Sequence, residues 1–162
     1  MNCISPLHSF FRSLTGRSRP VGPVHPDAVS EASLRLPRRV DDPSTAAPLP
    51  HDLLRNRRED ITLALYLDDQ HRLVGHAVVA VDKVQAARLS ARPLLFGARV
   101  CRATGCILVR YRRFGLLGAS DAETRSFRAL ADAVARHGLV LVDHLVVIAG
   151  GGYSSKRVPP AT

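Results

Sequence analysis

The pattern of apolar and polar positions changes character near residue 57. Residues 1–57 show weak apolar periodicity and contain eight of the eleven prolines of the chain. Because proline fixes φ and removes an amide donor, such a stretch is poorly suited to forming a packed element. We therefore expect a flexible Pro/Arg-rich tail over residues 1–57, and favour it over the alternative of a short amphipathic turn around residues 7–14. One domain over residues 58–157 and a second tail over 158–162 complete the predicted organisation.

Apolar runs typical of β-strands occur along the whole predicted domain. The first run ends at a polar turn cluster and resumes directly, which predicts an antiparallel hairpin. A continuous apolar run in the middle of the domain is typical of a buried central strand. Near the end, the polar pair Asp143–His144 separates two apolar runs. A glycine turn then precedes a last edge strand. The runs are 61–67, 73–81, 106–109, 139–142, 145–148 and the edge strand 153–155.

Helical signals lie between these runs. Residues 84–104 contain helix-like segments, and Pro93 suits the first turn of a helix that continues to Cys101. Ser120 and Glu123 fit a capping box, and the apolar stripe that follows has the spacing of one buried helix face. Before the edge strand at 153–155 the element order is β-β-α-β-α-β-β, which predicts an α/β fold with a mixed β-sheet flanked by helices.

Composition and charge narrow the classes of partner and compartment. Hydrophobic residues make up 46% of the chain and aromatic residues only 5%, so an aliphatic core is expected. The formal net charge of +9 favours nucleic acid or another anionic partner. Three cysteines without a regular framework suggest a reducing compartment, and Cys101 and Cys106 are expected to be small buried residues. Neither a membrane span nor a signal peptide is predicted.

At the end of the predicted domain, residues 141–148 read Leu-Val-Asp-His-Leu-Val-Val-Ile, and residues 151–155 read Gly-Gly-Tyr-Ser-Ser. This ending is similar to that of the RadC-like branch of the JAB (MPN/JAMM) family. The opening hairpin and the helix before the central strand also match that family in order. The resemblance implies a cytidine-deaminase-like architecture, a bacterial cytoplasmic location and a family tied to DNA repair.

The chemistry that the resemblance implies is that of a zinc metallopeptidase. In the family, a histidine-x-histidine-proline-serine-glycine segment and a serine-x-x-aspartate segment hold the metal, and a glutamate on the hairpin is the general base. Here Arg110 and Arg112 stand at the histidine positions, Ser120 and Gly115 match, and Glu123 replaces the aspartate. Arginine stays protonated and has no lone pair for a metal. We therefore expect no zinc, no catalytic residues and no metallopeptidase activity.

Several residues of this degenerate site have two interpretations. Ser120 and Glu123 are relics of a metal site or simply a capping box, and the capping box needs no other partner. The pair Asp143–His144 is a catalytic dyad or a structural feature of the family ending. Because neighbouring strand residues point to opposite faces, the structural role is favoured.

The arginine cluster is the one feature that suggests a gained function. Arg110, Tyr111, Arg112 and Arg113 would form an anion-binding surface if they point into the former zinc cleft, and a solvated basic loop if they do not. The leading hypothesis is an inactive RadC-like domain that binds an anionic partner. The alternatives are a zinc-dependent JAMM-type metallohydrolase with rebuilt ligation, for example by His76 and Glu123, and a decaying paralogue.

Overall fold

A five-stranded mixed sheet forms the centre of residues 38–157, the part of the chain that the computed structural model describes. The strand order is β2-β1-β3-β4-β5; β3 and β4 are parallel, and all other neighbours are antiparallel. The α/β mixed-sheet fold predicted from the sequence is therefore confirmed. The strands are β1 (Ile61–Leu67), β2 (Leu73–Val81), β3 (Gly105–Arg112), β4 (Val140–Ile148) and β5 (Tyr153–Arg157).

Helices cover the sheet on both faces. The long helices begin and end close to the predicted positions, with the capping box of Ser120 and Glu123 at the start of the last one. None of the helices within residues 38–157 has the length and apolar character needed to cross a bilayer. The helices are α1 (Pro43–Ala46), α2 (Leu49–Leu53), α3 (Asp82–Ala87), α4 (Ala91–Cys101) and α5 (Asp121–Ala135).

The two faces of the sheet bury separate apolar clusters, because side chains alternate along each strand. On the face covered by α4 and α5, here called the helix face, Ala64 and Tyr66 of β1 belong to the same apolar cluster as residues of both helices. On the other face, here called the N-terminal face, Leu63 and Leu65 pack beneath residues 40–54. Burial on both faces explains the continuous apolar runs of β1 and of residues 106–109 in β3.

The N-terminal boundary of the packed domain lies earlier than residue 58. Val40, Ala46, Leu49 and Leu54 are buried in the cluster on the N-terminal face. The prolines that argued against packed structure here occupy the first turns of α1 and α2, where a missing amide hydrogen costs nothing. Prediction of a flexible tail up to residue 57 was therefore wrong for residues 40–54. The alternative turn at residues 7–14 and the tail at 158–162 lie outside the described residues.

The polar pair near the end of the chain does not interrupt a strand. β4 runs continuously through Asp143 and His144, and a register shift opposite Cys106–Ile107 leaves Val142 as an extra residue. Such a bulge lets the strand carry the pair and then resume regular pairing. The two predicted runs are therefore one strand. The predicted edge strand at 153–155 is present within β5.

Candidate functional site

Two buried arginines converge on one glutamate at the helix face of the sheet. Arg110 and Arg112 of β3 are two residues apart, so both side chains lie on this face, and they are only 7% and 11% exposed. Nη2 of Arg112 lies 2.5 Å from Oε1 of Glu123, and Nε of Arg110 lies 3.7 Å from the same oxygen. The structure thus brings together the four motif positions identified from the sequence, with Ser120 capping the helix that carries Glu123.

The remaining guanidinium hydrogen bonds fix neighbouring elements. Arg110 donates from Nη1 to Oγ1 of Thr62 on β1, at 3.0 Å. Arg112 donates from Nη1 to the carbonyl oxygens of Leu116 and Gly118, at 2.9 and 3.3 Å, which ties down the loop between β3 and α5. Thr62 is the one polar residue in the apolar run of β1. That exception was the signal by which sequence reasoning could have found the partner of Arg110.

The carboxylate of Glu123 is held in its charged form. Burial raises the pKa of Glu123, but hydrogen bonds from Arg112 and from the amide and hydroxyl of Ser120 outweigh it and lower the pKa from 4.5 to about 2. Burial lowers the pKa of Arg110, and Glu123 opposes that shift. At neutral pH this site therefore contains two guanidinium charges and one carboxylate.

His144 also faces this cluster. Its ring stacks on Phe127 of α5, with ring centroids 4.8 Å apart and an interplanar angle of 16°. Burial, with a contribution from Arg110, lowers the pKa of His144 from 6.5 to about 4 against the opposing effect of Glu123. The imidazole is therefore neutral at pH 7, and within residues 38–157 its buried Nδ1 has no hydrogen-bond partner.

We predict that His144 makes the fold sensitive to mild acid. A histidine whose pKa is lower in the folded state stabilises the fold fully only above its unfolded pKa, and that stability is lost as the pH falls toward the folded pKa. With a pKa of 6.5 in the unfolded chain and about 4 in the folded protein, His144 should lower the free energy of unfolding by about 2 kcal/mol between pH 7 and pH 5. Urea unfolding at a series of pH values measures this loss.

A His144→Gln variant should have a flatter dependence of unfolding free energy on pH over that range. The exposed His137→Gln variant is the matched control and should keep the wild-type dependence. Equal dependence in the wild type and in His144→Gln would show that the buried ring does not titrate in this window.

The four-residue anion surface predicted at 110–113 is not formed. Tyr111 lies on the N-terminal face, where its ring meets that of His51 edge-on at 5.4 Å. Arg110 is buried, and of the four residues only Arg113 is exposed, with its guanidinium 5.4 Å from the ring centroid of Phe114. The reason is strand alternation: the segment continues β3, so consecutive side chains cannot share one surface.

Gly115 and Asp143, two further positions that match the family, have structural roles. Gly115 has a φ of 114°, a left-handed conformation that favours glycine in this loop. The carboxylate of Asp143 accepts hydrogen bonds from Ser155 Oγ at 2.7 Å and from the Lys156 amide at 3.1 Å. Asp143 thereby fastens β5 to β4, while His144 points to the opposite face. The pair is therefore separated by the sheet.

The residues present do not fit the zinc ion that the resemblance implies. Zinc requires several neutral or anionic nitrogen, sulfur or oxygen donors in one place, whereas guanidinium groups hold the ligand positions here. Within residues 38–157, no three His, Cys, Asp or Glu residues come together as a ligand set. The alternative ligand His76 pairs with Leu65 and lies on the N-terminal face, opposite Glu123.

Comparison with known proteins agrees with this fold. A sequence model of the RadC-like JAB domain matches residues 40–158. Curated relatives include UPF0758 proteins of Photobacterium profundum (27% identity), Vibrio parahaemolyticus (30%) and Shewanella amazonensis (29%). The aligned part is 59%, 59% and 89% of this chain, and 42%, 42% and 68% of those proteins respectively. The chain thus spans less than half the length of the first two. The family match shows that the chain belongs to the RadC-like JAB domain family.

Proposed function

We propose that this RadC-like domain lacks zinc-dependent peptidase activity and acts by binding an anionic partner. The observation that carries the proposal is the ion-pair cluster in which Arg110 and Arg112 both contact Glu123. These contacts occupy the carboxylate of Glu123, which would otherwise be free to ligate a metal ion. They also place positive charge where a cation would have to enter, so Coulomb repulsion opposes metal binding.

We infer an anionic partner from the net positive charge of the described residues. Residues 38–157 contain 19 Lys and Arg and 12 Asp and Glu, a net charge of +7. Because the cluster arginines are buried, exposed cations such as Arg113, directly after β3, and Lys156 of β5 are the ones available to a partner. A field of this kind attracts polyanions and weakens as salt is added.

The first test measures metal content. Protein purified without added metal should contain far less than one equivalent of zinc by mass spectrometry, because residues 38–157 hold no suitable donor set. Stoichiometric zinc that disappears in a Glu123→Ala variant would instead support a metallohydrolase with rebuilt ligation. That result would overturn the proposal of an inactive domain.

The second test measures anion binding. The full chain should be retained on heparin and should elute as salt increases, and an Arg113→Gln/Lys156→Gln variant should elute at a clearly lower salt concentration. The matched control is Arg88→Gln/Arg92→Gln, which removes the same charge from exposed positions near β2, at the other edge of the sheet. Equal shifts in both variants would leave only diffuse charge and remove the proposed site.

A further inference from the structure

We propose that the edge strand β5 and the adjoining loop between β3 and α5 bind an acidic, extended peptide segment of a partner protein as an added strand. This inference rests on the proposed function and specifies the class of anionic partner. Three observations carry it: an open sheet edge, exposed apolar side chains beside that edge, and positive charge on the same strand.

The first observation is the open edge. Within residues 38–157, β5 pairs only with β4, so alternate backbone amide and carbonyl groups of Tyr153–Arg157 face away from the sheet. The opposite edge is different, because an isolated bridge between Arg39 and Arg72 covers the start of β2. Unpaired backbone groups on an exposed strand are a template for another strand.

The second observation is a set of apolar side chains exposed beside this edge. Phe114, Leu116 and Leu117 in the loop are 79%, 84% and 40% exposed, and Tyr153 at the start of β5 is 42% exposed. The side chain of Leu117 packs on Gly152, and the hydroxyl of Ser154 donates a hydrogen bond to the Leu117 carbonyl. The loop therefore lies against β5.

The loop backbone is fixed although its apolar side chains are exposed. Arg112 binds the carbonyl oxygens of Leu116 and Gly118, and Arg112 is itself anchored by Glu123. A fixed loop that presents large apolar side chains to water is typical of an interaction surface. The buried ion-pair cluster thus has a consequence at the surface, since it holds the loop next to the edge strand.

The third observation is charge, which selects the occupant. β5 carries exposed Lys156 and Arg157, and Arg113 lies in the neighbouring loop. A second copy of the chain paired along β5 would bring like charges together, which disfavours self-association. Nucleic acid would satisfy the cations but would leave the strand edge and the leucines without partners. An acidic peptide with alternating apolar residues satisfies all three features.

The probe is a random dodecapeptide library displayed on phage and selected against the full chain. Selected peptides should be rich in Asp and Glu. These acidic residues should alternate with apolar residues, and proline should be absent from the centre of the peptide. A synthetic copy of an enriched peptide is then titrated by fluorescence anisotropy. Methylating alternate backbone nitrogens, which removes donors without changing charge, should weaken its binding at least about tenfold if strand pairing occurs.

Protein variants locate the surface. Lys156→Glu/Arg157→Glu should weaken binding of the synthetic peptide by about tenfold or more, and Leu116→Ser should weaken it by several-fold. The control Arg88→Glu/Arg92→Glu changes the net charge equally at the far edge of the sheet and should leave binding within about twofold of wild type. Leu116 is exposed, so its replacement is not expected to unfold the protein.

Four results would overturn the inference: selected peptides without acidic enrichment, undiminished binding of the methylated peptide, full competition by an oligothymidylate, or a dimer that Leu116→Ser dissociates. The oligothymidylate result would identify nucleic acid as the occupant, and the dimer would identify a second copy. None of these results alters the zinc content on which the proposed lack of peptidase activity is tested. Failure of the peptide site and failure of that proposal are therefore distinguishable.

Discussion

A Glu123→Gln variant is expected to lose about 3 kcal/mol of unfolding free energy, because the substitution leaves two buried guanidinium charges without their carboxylate. Arg110 and Arg112 are almost fully buried, whereas the Glu123 side chain is 28% exposed. That residual solvent contact places the expected loss at the lower end of the range for breaking a buried ion pair. Urea denaturation at neutral pH, with circular dichroism as the signal, measures the loss.

Asp121→Asn provides the matched control for this prediction. Asp121 is an exposed acidic residue in the same first turn of α5, and its replacement should cost below about 1 kcal/mol, the usual contribution of a carboxylate to the helix dipole. Replacing both arginines by methionine in the Glu123→Gln background should restore much of the stability, because it removes the unpaired charges. Equal losses in Glu123→Gln and Asp121→Asn would contradict the ion-pair account.

A Gly97→Ala variant is expected to lose about 3 kcal/mol, although alanine is the better helix former by about 1 kcal/mol. A Cβ atom at position 97 of α4 would lie 2.1 Å from Oη and 2.4 Å from Cζ of Tyr66. Tyr66, the penultimate residue of β1, is fully buried, so its ring has no space into which to move. Helix α4 and strand β1 would have to move apart, which opens the core on the helix face. Thermal and urea denaturation measure this loss.

Rescue and control variants isolate this contact. Gly118→Ala adds a methyl group at a position with no atom within 4 Å and should change stability by less than about 0.5 kcal/mol. In a Tyr66→Leu background, which removes the ring, Gly97→Ala should cost much less than in the wild type. An unchanged cost in that background would mean that the clash with Tyr66 is not the cause.

The order of the elements was predictable because it depends on local signals. The apolar runs that became β1 and β3, the capping box at Ser120 and the helix containing Pro93 all follow from residue type and spacing within short windows. The domain boundary was not predictable in this way. Prolines near residues 43–50 indicated a tail, but the N-terminal face of the sheet needs an apolar cover, and those residues provide it. The apolar surface that they cover is formed by strands distant in sequence, so it cannot be recognised from the local pattern.

In the candidate site, too, some features follow from the sequence alone and others depend on tertiary packing. The sequence determined by itself that Arg110 and Arg112 cannot ligate a metal, since that follows from the chemistry of the guanidinium group. Only the tertiary structure decided what they do instead: it pairs them with Glu123, turns Tyr111 to the other face and brings His144 beside them. Residue chemistry is a property of each position, whereas burial and partners depend on which distant strands and helices pack together. Local sequence therefore determined most of the strands, the long helices and the loss of the metal ligands, whereas packing determined the N-terminal cover of the sheet and the ion-pair cluster.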